Sequence, residues 1–328
     1  MPTHRFPSPL AHSQALDDQP ARPADPHRPP HDDPDPPADD PEPPHDDPEP
    51  PHDDPEPSPR IAGQSRPVPE WSGRGGQGSP AYRAVIFDFF GTLTCGSGRG
   101  QQHAVVAALL GCAVEALFEV LDRSFHLRAT GALGDATDTM RWICEQAGAR
   151  PSAADLRAAV EARVEAVRAD TRLRPEAVTV LRAVRRRGAR TALISDCTHE
   201  LPAFWPQLPV APLLDARVFS VQVGRCKPDP AIYLAACQRL GVAPGDCLYV
   251  GDGGSQELTG AARAGMTPVR LAAADLDGHL VFNRDRGWSG PALASLSEVP
   301  GLLDVPRNRP GSEPAGSVPV PGGAGCGV

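Results

Sequence analysis

Residues 84–94 read Ala84-Val85-Ile86-Phe87-Asp88-Phe89-Phe90-Gly91-Thr92-Leu93-Thr94, a short apolar run that stops at an acid and turns at a glycine. An apolar run without polar alternation reads as a parallel strand covered on both faces, and this one delivers the Asp88 carboxylate at its C-terminal edge. Further strand-like runs follow at 191–194, 218–223, 247–250 and 267–271. Apolar residues at helical spacing fill 113–128, 135–148, 152–170 and 175–187, and return at 229–241 and 255–265. Strands alternating with helices predict an α/β fold, a Rossmann-like parallel sheet wound by right-handed crossovers. The all-helical stretch after the first strand predicts an inserted helical cap at about 95–175. In such sheets the ligand sits beyond the carboxyl ends of the strands, which is where chemistry is to be sought.

Composition places this domain at 81–299 of the 328 residues. Of 40 prolines, 23 fall in residues 1–80, which carry a net charge of −10, whereas 81–299 carry +1. Residues 30–57 are four tandem copies of a seven-residue Pro/Asp unit with no apolar residue larger than alanine. Such a segment cannot offset the entropy of ordering, so 1–80 is expected to be a disordered tail and linker, and 300–328 a second disordered tail. Its histidines beside aspartates, His31, His45 and His52, suit weak metal-ion binding, but a solubilising role explains the repeat more simply. No apolar run approaches the length of a membrane span, and residues 1–80 hold no apolar stretch that could act as a signal-peptide core, so a soluble cytoplasmic protein without a membrane partner is expected. The eight cysteines form no C-x-x-C pair or zinc-ligand spacing and read as reduced thiols.

Four strand ends carry polar groups. The first gives Asp88 and Thr92. The second ends in Ser195 and Asp196. The third is followed by Lys227-Pro228-Asp229-Pro230, and the fourth runs into Gly251-Asp252-Gly253-Gly254-Ser255-Gln256-Glu257. An acid ending a strand can be a turn former and a serine a helix cap. Four such ends in one order point instead to a site. Lys227 is the sole lysine among 32 basic residues, which marks a position needing a compact ammonium charge.

These four segments resemble the motifs of the haloacid dehalogenase-like (HAD) hydrolase superfamily, in their order, over 81–271. The resemblance implies that Asp88 is a nucleophile forming an aspartyl-phosphate and that Thr92, Ser195, Asp196 and Lys227 bind the substrate phosphate. It also implies that Asp88, Asp252, Glu257 and the backbone carbonyl of Phe90 serve a Mg²⁺ ion. The insert resembles the family's small cap, which closes over the site. The physical logic agrees, because a divalent ion, an ammonium and a hydroxyl converging on a phosphoryl group stabilise the charge on its oxygens.

One residue departs from the pattern. Most phosphatases of the superfamily carry an aspartate where this chain has Phe90, and that acid protonates the leaving group and activates water. Three readings follow. The first is a Mg²⁺-dependent phosphohydrolase acting on a small phosphorylated molecule with a good leaving group, or using Asp196 or His199 as a replacement acid. The second is a 2-haloacid dehalogenase, a branch with an aromatic residue at this place. The third is a slow-turnover phosphate-binding or regulatory protein. In the cap Arg123, Arg128 and Arg141 are candidates for an anionic substrate, or solvated helix faces. Gly96–Gly100 reads as the hinge into the cap. The cluster Arg185-Arg186-Arg187 suits a helix C-terminus better than nucleic acid, so no nucleic-acid partner is expected. His103, His126 and His279 show no partner spacing, and oligomeric state is not legible.

Overall fold

The structure, a computed structural model, describes residues 81–305. The expected tail at 1–80, and that at 306–328, lie outside the described residues. Six parallel strands form one sheet: β1 Ala84–Phe87, β2 Arg190–Ser195, β3 Ala216–Phe219, β4 Cys247–Gly251, β5 Thr267–Leu271 and β6 Ala292–Leu293, in the order β3-β2-β1-β4-β5-β6. The α/β Rossmann-like expectation therefore holds. β1 is central, pairing Phe87 with Leu193 on one side and with Val250 on the other. Asp88 thus emerges between the ends of β2 and β4.

Alternate residues of each strand face opposite layers. Val85, Phe87, Leu193 and Val250 turn toward one core, packed against α6 (Ala177–Arg186) and a 3₁₀ helix at Leu296–Leu303. Ile86, Ile194 and Tyr249 turn toward the other, against α9 (Pro230–Leu240) and α10 (Glu257–Arg263). Two short helices, α7 (Glu200–Phe204) and α8 (Ser220–Val223), follow β2 and β3.

Five helices lie between β1 and α6: α1 Gln102–Leu110, α2 Val114–Arg123, α3 Phe125–Ala129, α4 Ala136–Gln146 and α5 Ala153–Asp170. They close around their own core, which includes Val106, Leu117, Leu121, Met140 and Ile143. Two antiparallel segments join this cap to the sheet. Thr94 bridges Leu173, Cys95 N donates to Arg172 O at 2.8 Å, and Arg174 N donates to Leu93 O at 2.9 Å. All seven described cysteines are free. No single described helix is long and apolar enough to cross a membrane.

Two expectations need correction. The strand expected at 218–223 ends at Phe219, and Ser220–Val223 form a helical turn closed by Gly224. The cause lies in the neighbour: the last pair in the ladder is Ser195 with Phe219, so no partner strand remains beyond it. The Ser220 hydroxyl instead accepts from Cys197 N at 2.9 Å. The domain also continues past 299. Leu303 is 3% exposed in the core that covers β1, and Ala81 N donates to Leu303 O at 3.2 Å. A capping box between Ser295 and Glu298 starts this last helix.

Deleting a fully buried leucine side chain leaves a cavity, so Leu303→Ala is expected to cost about 2–4 kcal/mol in urea unfolding. Truncation after residue 299 should cost at least as much. Unchanged midpoints would show that the helix does not support the core.

Candidate active site

The turn after β1 shapes the floor of the site. Gly91 adopts φ +78°, and a Cβ there would meet His279 Nε2 at 2.7 Å and Asp252 Oδ2 at 3.0 Å. Glycine is required both for the left-handed backbone and for the closeness of these groups. Arg174, from the return segment of the cap, fixes the turn by donating to Thr92 O at 2.9 Å and Gly91 O at 3.0 Å, while its Nη1 donates to Asp275 Oδ1 at 2.7 Å.

Lys227 lies at the centre of the floor. Its Nζ donates to Asp88 Oδ1 and to Glu257 Oε2, both at 2.6 Å, and all three side chains are buried. Burial disfavours the ammonium, but Asp88 and Glu257 outweigh that and hold its pKa well above the usual lysine value. Glu257 is fully engaged: Tyr249 OH donates to its Oε2 at 2.8 Å and Gly253 N to its Oε1 at 2.9 Å. It fits because residue 251 is glycine, where a Cβ would fall 2.1 Å from Oε1. Two residues before α10, Ser255 and Gln256, have left-handed φ of 53° and 50°. Left-handed backbone costs about 1–2 kcal/mol per residue, and here it aims Glu257 inward. Asp196 is buried and accepts from Lys227 N at 3.0 Å, so it holds the lysine's backbone. Burial raises its pKa, with Lys227 opposing.

Asp252 completes the floor, its Oδ1 accepting from Gly254 N at 3.0 Å. Ligand oxygens of Asp88, Asp252 and Glu257 lie within 4.8 Å of one another. Three carboxylates thus face one ammonium. Burial pushes the Asp88 and Glu257 carboxyls up, and their neighbouring carboxylates push the same way against Lys227. Hard oxygen donors with uncompensated negative charge fit a divalent cation such as Mg²⁺.

Two expected phosphate ligands lie deeper. Ser195 and Thr92 are fully buried and outside the cavity wall, and neither Ser195 Oγ nor Thr92 Oγ1 has a hydrogen-bonding oxygen or nitrogen partner among the described residues. The cavity itself, about 170 Å³, lies between this floor and the cap, with Asp88, Asp196, Lys227 and Asp252 on its wall. Phe90 lines it too, its ring edge-on to Phe89 at 5.0 Å between centroids, and offers no proton-transferring group. His199 does not line the cavity and pairs with Gly134 O at 2.9 Å.

Sequence reasoning missed several participants. Tyr249 is read there only as part of a strand, yet its parity turns its hydroxyl onto Glu257. Tyr233 OH donates to Glu257 O at 2.9 Å from α9. His279, given no role from sequence, lines the cavity with Nε2 4.0 Å from Asp252 Oδ2 and Nδ1 against the backbone of Ser97. It lies in an irregular segment where no periodicity could have placed it.

Comparison with known proteins identifies the family. The chain is 27% identical over 230 residues to (S)-2-haloacid dehalogenase 1 of Pseudomonas sp. (strain CBS-3), covering 67% of this chain and 96% of that one. A 54-residue segment is 46% identical to glyceraldehyde 3-phosphate phosphatase of Methanopyrus kandleri, but the match spans 16% of this chain and only 23% of that relative's length. Among solved structures, 2-haloacid dehalogenase from Pseudomonas syringae pv. Tomato DC3000 shares the fold, with a TM-score of 0.50, 21% identity, and coverage of 68% of this chain and 98% of that one. A family model for haloacid dehalogenase-like hydrolases matches residues 82–265, more than half of the chain. With the Asp88 turn, the lysine and the acidic loop inside that range, the protein belongs to the haloacid dehalogenase-like hydrolases.

Proposed function

We propose that this hydrolase is a Mg²⁺-dependent phosphohydrolase in which Asp88 carries the phosphoryl group of a small phosphorylated substrate. The observation that carries the reading is the charge of the floor, where Asp88, Asp252 and Glu257 lie within 4.8 Å of one another and Lys227 pairs with only two of them, Asp88 and Glu257. A metal-independent displacement has no need of the third carboxylate, Asp252. Asp88, the Phe90 carbonyl and Asp252 would hold Mg²⁺ beside Glu257, and the ion would supply positive charge against the phosphoryl oxygens.

The chain's own residues do the rest. Asp88 attacks phosphorus, and the bond from phosphorus to the leaving oxygen breaks with its electron pair going to that oxygen. Water then attacks phosphorus, the bond to Asp88 breaks, and phosphate is released with the carboxylate restored. Lys227 opposes the upward push of burial and of Asp252 on the Asp88 carboxyl and presents an ammonium to the incoming anion, while Glu257 and Asp196 keep the lysine in place. The Thr92 hydroxyl, buried without a partner among the described residues, stands to gain an oxygen partner, since a buried unsatisfied hydroxyl costs about 1–3 kcal/mol, whereas the Ser195 hydroxyl already has the Cys197 thiol beside it.

Phe90 decides the substrate's leaving group. With no acid at this position, the reaction favours a leaving group that departs as an anion, such as an aryloxide or a carboxylate. A second reading, a 2-haloacid dehalogenase, is favoured by the aromatic Phe90 and by the haloacid dehalogenase that this chain matches over 96% of its length. There Asp88 would attack carbon, halide would leave, and water would hydrolyse the ester.

With Mg²⁺, the protein is expected to release phosphate from p-nitrophenyl phosphate or acetyl phosphate much faster than from a sugar phosphate, and Asp88→Asn should reduce release to background. Halide release from 2-haloacids without added metal, and no phosphate release, would replace this reading by the second. Phe90→Asp should raise sugar-phosphate hydrolysis by about 10²-fold, the usual contribution of a placed general acid. No rise would show that another group already supplies the proton.

A further inference from the structure

The wall opposite the floor carries three arginines and one carboxylate, Asp170, which pairs with His103 at 2.8 Å. Arg99, Arg128 and Arg163, from the cap and its entry segment, line the same cavity as Asp88 and Lys227. The two other cap arginines singled out in the sequence turn elsewhere: Arg123 reaches Gln146 and Arg141 pairs with Asp138 at 2.7 Å, both on the exposed surface.

The three inward arginines are not equivalent. Arg99 pairs with Asp122. Arg163 lies 3.0 Å from Glu200 Oε1. Arg128 is 2% exposed and forms no ion pair with any carboxylate among the described residues. Its Nε donates to Ser124 Oγ at 2.9 Å and its Nη2 to Leu121 O at 2.7 Å, both uncharged acceptors. These bonds tie the guanidinium to the break between α2 and α3, and so fix its position without neutralising its charge. Burial, with the charge of Arg163 acting in the same direction, lowers its pKa to about 10, which leaves it protonated at neutral pH. The two carboxylates that act favourably on it from a distance are already held elsewhere, Glu200 by Arg163 and the Thr198 hydroxyl and Asp122 by Arg99. A buried charge without a counter-ion is costly, and proteins retain one where a ligand completes the pair.

The cavity between Arg128 and the floor is small and partly apolar. Phe125 of α3 stacks on Phe282 of the core with ring centroids 4.1 Å apart, closing cap onto core at its edge. A volume of about 170 Å³ admits a metabolite well below drug size. A single uncompensated guanidinium matches a single negative charge.

We propose that Arg128 is a specificity-determining residue that binds a carboxylate of the substrate, so that the substrate is a small phosphorylated carboxylic acid held between the cap and the Asp88–Lys227 floor. This rests on the phosphohydrolase reading for the phosphate end, whereas the carboxylate end rests on the cap alone. Binding of unreactive ligands separates the two. The full chain with Mg²⁺ is titrated by calorimetry with phosphonoacetate, with ethylphosphonate, which has a neutral end of similar size, and with propionate, which has no phosphonate.

The wild type is expected to bind phosphonoacetate about tenfold or more tightly than ethylphosphonate, as a charge-assisted pair provides. Arg128→Gln should bring the two affinities together. Arg128→Lys, which keeps the charge, should keep part of the difference, and it serves as the test variant if the glutamine substitution fails to fold. Binding of propionate that is weakened in the Arg128 variants, with no binding of either phosphonate, would uphold the carboxylate subsite while overturning the phosphate reading. Equal affinity of the wild type for phosphonoacetate and ethylphosphonate, a preference untouched by the Arg128 variants, or no binding of any carboxylate would overturn the proposal.

Discussion

The site depends on one buried ammonium shared between two carboxylates. Lys227 Nζ stands 2.6 Å from both Asp88 and Glu257, and none of the three reaches solvent to any useful extent. Removing charges from water costs several kcal/mol each, and only close, well-aligned partners offset it. The surrounding structure supplies that alignment. Tyr249 and the Gly253 amide hold Glu257, Asp196 holds the lysine's backbone, and the sheet brings β1 and β4 side by side so that Asp88 and Asp252 meet. The same constraint explains the two left-handed residues before α10 and the glycine at 251, without which the Glu257 carboxylate would have no room.

The cap is joined to this floor at points that bear directly on the chemistry. Its return segment carries Arg174, which grips the turn containing Gly91 and Thr92, and its outgoing segment places Ser97 against His279. The position of the cap and the shape of the turn after Asp88 are therefore linked through a few hydrogen bonds. The charges are segregated across the cavity: carboxylates dominate the sheet side and arginines the cap side. A ligand with negative groups at two ends fits that separation once a cation joins the carboxylates.

Much of this was legible in the sequence because it depends on local pattern. Short apolar runs ending in polar residues mark β1, β2 and β4, and the sole lysine marks itself against the arginine background. The insert reads as a cap because four helical stretches follow one strand. What escaped depends on neighbours distant in sequence. The end of β3 at Phe219 is set by where β2 stops, not by the residues after it. The helix at Leu296–Leu303 follows a long irregular segment and joins a core built mostly from earlier elements, so composition alone cut the domain short. Arg128 on α3 lines the cavity while Arg123 on α2 and Arg141 on α4 face the surface, a difference set by how the helices pack, and His279 reaches the floor from a loop without periodicity. The deep placement of Ser195 and Thr92 likewise requires the folded wall to be seen.

The central claim is that Asp88 acts on phosphorus in a cation-completed site. Single-turnover reaction with p-nitrophenyl phosphate and Mg²⁺ in heavy-oxygen water, followed by mass analysis of the phosphate and of the peptide containing Asp88, tests it most directly. The account predicts heavy oxygen in the released phosphate and none in the Asp88 carboxylate, because water attacks phosphorus and leaves the carboxylate oxygens unchanged. Heavy oxygen in the Asp88 carboxylate after single turnover of a 2-haloacid without metal, with no labelled phosphate in the first experiment, would contradict it.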